Sequence, residues 1–153
     1  MANTNLQNVL FNQDSQKYLD QKKNTLPNKW YSRLIKSPLS PPNYVFGIVW
    51  PILYLLLAVS FYLTITSSKC VGWCKPIPFF IIQLVCNLSW TTVFFRLQWI
   101  RTAFVLITII ILFTLLTFYE LQQVNPIAGY LLIPYLLWLC FAAYLNGYII
   151  MYN

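Results

Sequence analysis

Between Asn43 and Thr66 the chain reads NYVFGIVWPILYLLLAVSFYLTIT, without one charged side chain. That length is close to the roughly 20 residues a helix needs to cross the hydrocarbon of a bilayer. A segment placed in lipid has no water to bond a bare N–H or C=O, so its backbone must satisfy itself internally. Three further runs repeat the pattern, from about Pro78 to Phe95, from about Thr102 to Tyr119 and from about Ile127 to Tyr152. A transmembrane barrel would show shorter segments of alternating polarity. The expected fold is therefore all-α, a polytopic transmembrane helix bundle with four apparent spans.

Composition agrees. The 153 residues suffice for one domain, and they are 59% hydrophobic, 8% charged, with a mean hydropathy of +0.61. A soluble domain carries about 25% charged residues, so membrane lipid has to cover much of this surface. The net charge of +7 is unevenly placed. Lys17, Lys22, Lys23, Lys29, Arg33 and Lys36 precede the first run, and Arg96 and Arg101 lie in the second connection. With four spans these share one side, and Lys69 and Lys75 occupy the other. The bias predicts that the N- and C-termini face the cytoplasm. Anionic lipid and topology account for the charge better than nucleic acid does, and nucleic acid is not expected as a partner. Residues 1–29 read as a polar, basic tail without the apolar core of a secretory signal. Residues 30–153 read as the membrane domain, with no internal repeat and no heptad seam.

The chemistry open to the chain is narrow. It has no histidine, and its only acids are Asp14, Asp20 and Glu120. No histidine-based triad or carboxylate pair can be assembled, and histidine ligation of zinc or haem is excluded. No Gly-rich phosphate loop is present. No cofactor and no metal site is expected. Cys70 and Cys74 share the first connection as C-x3-C, readable as free thiols, as a local disulfide or, weakly, as a metal pair. Cys86 and Cys140 read as small packing residues within helices.

What remains is polar and aromatic. Gln83, Asn87 and Trp90 share a face of the second run by i, i+4, i+7 spacing. Tyr135, Trp138, Ala142 and Asn146 share one on the fourth, and Trp50, Tyr54 and Phe61 form a stripe on the first. A carboxamide in hydrocarbon is costly without a partner, so Gln83, Asn87 and Asn146 are expected to face the interior and to be bonded there. Hydrogen bonding between helices is one use for them. A pocket for a large, flat, apolar ligand with a few polar atoms is the other.

The ordered motifs of the chain resemble the TspO/MBR family of translocator and tryptophan-rich sensory proteins. Trp30–Tyr31, Leu34, Lys36, Pro41–Pro42, Phe46, Val49–Trp50 and Leu53–Tyr54 match its first loop and following helix. Gln83–Leu84, Asn87, Trp90 and Phe94–Phe95 match the next motif, and Pro134–Tyr135, Trp138, Phe141–Ala142 and Leu145–Asn146 match a third. The resemblance implies five helices around a pocket for porphyrins, sterols or synthetic aromatic ligands. Carried over by motif, the ligand-binding residues are Trp50, Asn87, Trp90 and Trp138, with Tyr31, Tyr54, Phe94 and Ala142 beside them. Some departures stand out. The stretch before Trp30 is polar where the family has a transmembrane helix, and Ser37, Leu39, Leu88, Thr91 and Thr92 replace family residues. The basic residue of the animal sterol pattern is missing after Tyr148.

Three functions follow as expectations. The first is a sensor, receptor or carrier for porphyrin-like or sterol-like small molecules. In the second, an enzyme degrades bound porphyrin in light through Trp50 and Trp138. The third is a membrane assembly protein, possible as a homodimer, although no GxxxG motif is present.

Overall fold

The computed structural model describes residues 27–70 and 72–153. The expected tail of residues 1–29 falls almost wholly outside them. Among the described residues there are helices and no strand. A short helix, α1 (Pro27–Arg33), belongs to a first compact unit ending at Leu34, and the rest of the chain from Ile35 forms a second. Trp30 and Tyr31 thus stand on a helical turn, where the sequence suggested a loop.

The second unit holds four segments long and apolar enough to span a membrane. They are α2 (Asn43–Ile65), α3 (Pro76–Thr91) with its continuation Thr92–Arg96, α4 (Ile100–Val124), and a last segment in two parts, α5 (Pro126–Tyr130) and α6 (Ile133–Tyr152). The third span is longer than its charge-free run, taking in Arg101 near its start and Glu120 near its end.

The ends follow from local chemistry. Pro76 and Pro126 sit at helix starts, where a missing N–H costs nothing. Asn125 caps α5 through its side-chain oxygen, which accepts from the N–H groups of Ile127 and Ala128. The Asn125 Nδ2 donates to the Leu63 carbonyl at 3.2 Å, tying that turn to α2. After Thr91 the helix loosens into a π-type turn, with Leu97 N–H donating to the Thr92 carbonyl at 3.1 Å. Gln98 closes the turn at φ 59°.

The buried faces are regular. On α4 they are Ala103, Ile107, Ile110, Thr114, Thr117 and Leu121. On α6 they include Tyr135, Leu139, Ala142, Asn146 and Ile149. Steps of four and three alternate, which is heptad spacing, so the seam missing from the sequence reading is present. Hydropathy along the chain does not reveal it, because lipid makes the outer faces as apolar as the inner ones. The most extensive pairing is α3 on α4, followed by α4 on α6, whereas α2 rests more lightly on α3 and α6. Gly147 of α6 faces Phe104 of α4, whose ring lies 3.4 Å from where a Cβ would stand.

Cys70 and Cys74 form a disulfide in the α2–α3 connection. Of the three readings left open for this pair, the local disulfide is the one observed. Ser67 Oγ and Lys69 Nζ donate to the carbonyls of Val124 and Gln123, docking this connection on the α4–α5 turn. Cys140 is exposed on its helix and Cys86 half-buried, so Cys140 faces outward and is not a packing residue.

Candidate aromatic site

Asn87 is the polar centre of the bundle. It is 4% exposed on α3. Its Oδ1 accepts from the Tyr54 hydroxyl of α2 at 2.6 Å, and its Nδ2 donates to the Tyr135 hydroxyl of α6 at 2.8 Å. One carboxamide thereby links three spans. The geometry is a consequence of helix register: Tyr54 lies one turn beyond Trp50, and Asn87 lies one turn before the end of the Gln83–Asn87–Trp90 face.

A small cavity opens beside this amide. Trp50, Asn87, Trp90, Ile107, Ile110, Leu139 and Ala142 line it. No charged side chain contributes to the wall. Its volume is about 10 Å³, close to what a single water needs. The Trp50 and Tyr54 rings lie 5.5 Å apart, and Trp90 stacks on Phe94 at 5.0 Å with the planes 12° apart. The indole Nε1 of Trp90 is buried without a hydrogen-bond partner. Trp90 therefore carries an unused donor, whereas Asn87 is held by two phenols.

The expected site residues do not all meet. Trp50, Asn87, Trp90 and Ala142 share the cavity wall, Tyr54 joins them through Asn87, and Phe94 backs Trp90. Trp138 stands aside. Its ring packs edge-on against Phe46 at 5.7 Å and near Phe141 at 5.6 Å, and its Nε1 too is buried without a partner. Phe46 is one turn before Trp50, so Trp138 contacts the same helix nearer its start. Tyr31 lies on α1, in the unit that does not contain the cavity. Sequence reasoning missed Ile107, Ile110 and Leu139 as wall residues, because isoleucine and leucine carry no signal in an apolar helix. Tyr135 was on the noted stripe, and its bonding to Asn87 places it at the centre.

The other two interior amides fare differently. Gln83 Oε1 accepts from the Thr114 hydroxyl, while its Nε2 has no partner. Asn146 is 2% exposed with neither amide atom bonded, contrary to the expectation that it would find a partner. Ser37, where the family motif has proline, is buried and shares a 3.0 Å hydrogen bond with the Tyr144 hydroxyl. It anchors the approach to α2 on α6.

Among the described residues, four spans around an uncharged, aromatic centre define a multi-pass helical membrane protein. The TspO/MBR family model matches residues 11–152, and the chain belongs to that family. Among its relatives, the tryptophan-rich protein TspO of Chlorobaculum tepidum is 34% identical over 133 residues, covering 83% of this chain and 82% of the relative. The tryptophan-rich sensory protein of Cereibacter sphaeroides is 32% identical over 120 residues, 78% and 74% of the two chains. The human translocator protein is 32% identical over 127 residues, 77% and 71%.

Proposed function

We propose that this protein is a membrane sensor or carrier that takes a flat, largely apolar ligand of the porphyrin or sterol type into the bundle. The observation that carries the reading is the meeting of Trp50, Asn87, Trp90 and Ala142, from three spans, around one uncharged cavity. Indole faces stack on a flat π-system, and a dry interior strengthens the few polar contacts. The Trp90 Nε1 supplies a hydrogen-bond donor that the fold leaves unused. Names of relatives as sensory and translocator proteins support the same reading.

A macrocycle needs a pocket of several hundred Å³, and about 10 Å³ is open. Binding thus requires a wall to move. The wall that moves is α2, because it carries Trp50 and rests least firmly on its neighbours. The basic bias supports an orientation with both termini toward the cytoplasm. The Cys70–Cys74 disulfide, on the opposite side, suits an oxidising compartment there.

The test is titration of the purified protein with protoporphyrin IX, following tryptophan fluorescence and fitting Kd rather than amplitude. The expected result is saturable binding that Trp50→Ala weakens about ten-fold, in line with loss of one well-buried aromatic contact. Binding of equal affinity by wild type and a Trp50→Ala/Trp90→Ala variant would overturn the reading.

A further inference from the structure

Helix α2 divides at Pro51 into two parts that are held very differently. Beyond Pro51 the helix is anchored. Leu53, Leu57, Ser60 and Thr64 are buried. Tyr54 bonds Asn87 at 2.6 Å, Ser60 Oγ donates to the Ala128 carbonyl at 2.7 Å, and the Leu63 carbonyl accepts from Asn125 at 3.2 Å. Before Pro51 none of the residues from Asn43 to Trp50 is buried. Among the described residues, the nearest side-chain bonds to another element lie on either side of this stretch, at Ser37 and Tyr54. What holds it inward is packing, with the Phe46 ring edge-on to Trp138 at 5.7 Å and Trp50 at the cavity wall.

Both ends of the stretch can bend. Pro51 has no N–H, so the Gly47 carbonyl lacks its regular partner one turn on, and the helix is weakened there. Gly47 adds backbone freedom of its own, and nothing lies within 4 Å of where its Cβ would stand. Trp50 is inside the weakened turn, so bending there redirects its indole. At the other end Pro42 caps α2 without a side-chain hydrogen bond, and Pro41 precedes it. Neither proline offers an N–H to tie that turn down. Ser37, bonded to Tyr144 at 3.0 Å, is the fixed point before it. The outer face, with Gly47, Ile48, Pro51 and Ile52, is exposed, so outward movement has room.

We propose that Asn43–Trp50 is a flap, hinged at Pro51, that gates the aromatic cavity. Closed, its Trp50 completes the wall. Opening turns the indole outward while Tyr54, beyond the hinge, stays on Asn87. The bundle thus keeps its register as the pocket widens. This rests on the function proposed above and names the moving part and its pivot.

The test compares wild type with Pro51→Ala, which restores an N–H at an exposed position off the cavity wall. A ligand that enters only the open form has an apparent affinity set by the open fraction. Pro51→Ala should raise the melting temperature and slow protoporphyrin IX association about ten-fold, with dissociation unchanged within about two-fold. Gly47→Ala, whose added methyl meets nothing, should slow association about three-fold. Unaltered association in Pro51→Ala, or a loss of affinity carried by faster dissociation, would overturn the proposal.

Spin labels read the motion without relying on binding. In a Cys86→Ala/Cys140→Ala background with the Cys70–Cys74 bridge intact, a Tyr44→Cys/Leu112→Cys pair reports the flap. A Leu55→Cys/Leu112→Cys pair reports the anchored part, and all these label sites are exposed. The first pair should show a second, longer distance that Pro51→Ala removes, and the other pair a single one. One unchanged distance for both pairs would overturn the hinge. Absence of porphyrin binding to wild type would defeat the pocket itself, and the distances would then decide the hinge alone.

Discussion

The Tyr54 hydroxyl donates to the Asn87 side-chain oxygen at 2.6 Å, across the boundary between the first and second spans. Tyr135 completes the set by accepting from the same amide. In water such bonds exchange for bonds to solvent. In hydrocarbon the alternative is an unpaired polar atom, so the triplet fixes the mutual register of three helices that apolar packing alone would leave freer.

Removing Asn87 should therefore harm the fold more than removing either phenol. Asn87→Leu strips both tyrosines of their partner, with an expected loss of about 2 kcal/mol. Tyr54→Phe deletes one bond and leaves only the Asn87 oxygen unpaired, at an expected cost of about 1 kcal/mol. Thermal unfolding in detergent checks the order. Asn87→Leu as stable as Tyr54→Phe would show that the triplet is incidental.

Gln83 and Thr114 should respond asymmetrically. Gln83→Leu removes an amide whose Nε2 is already unpaired, and should be neutral or stabilising. Thr114→Val keeps the shape but leaves the Gln83 oxygen buried and unbonded, at a cost of about 1–2 kcal/mol. The same unfolding measurement on both variants decides it.

Trp90→Phe separates stability from binding. The indole N–H has no partner in the fold, and phenylalanine keeps an aromatic face for stacking on Phe94. Melting temperature should stay within about two degrees of wild type, since little net contact is lost. Affinity for protoporphyrin IX should fall about five-fold, the worth of one hydrogen bond. Unaltered affinity would remove Trp90 as the ligand's donor.

The Cys70–Cys74 bridge should be visible to alkylation. Under denaturing, non-reducing conditions two of the four cysteines should label, and all four after reduction, as read by intact mass. Closing so small a loop contributes about 2 kcal/mol in the chain-entropy model, so a Cys70→Ser/Cys74→Ser variant should melt several degrees lower. Four labels before reduction would show that the bridge is not formed and would remove its support for the proposed orientation.

Much of this was legible in the chain itself. Uninterrupted apolar runs dictate spanning helices, because lipid offers the backbone no other partner. The scarcity of charge and the lack of histidine restrict the chemistry to burial, stacking and a few hydrogen bonds. The Trp50, Asn87 and Trp90 positions could be picked out because aromatic and amide side chains are conspicuous among leucines and isoleucines. Tertiary structure decided the rest. Hydrophobicity does not distinguish a lipid-facing isoleucine from Ile107 or Ile110 at the cavity, so the wall and the heptad seam emerged only when α4 met α3 and α6. Nor does spacing along one helix say whether an amide finds a partner. Asn87 meets two phenols from other spans and Asn146 meets none, since that outcome depends on where separate helices bring their side chains in space.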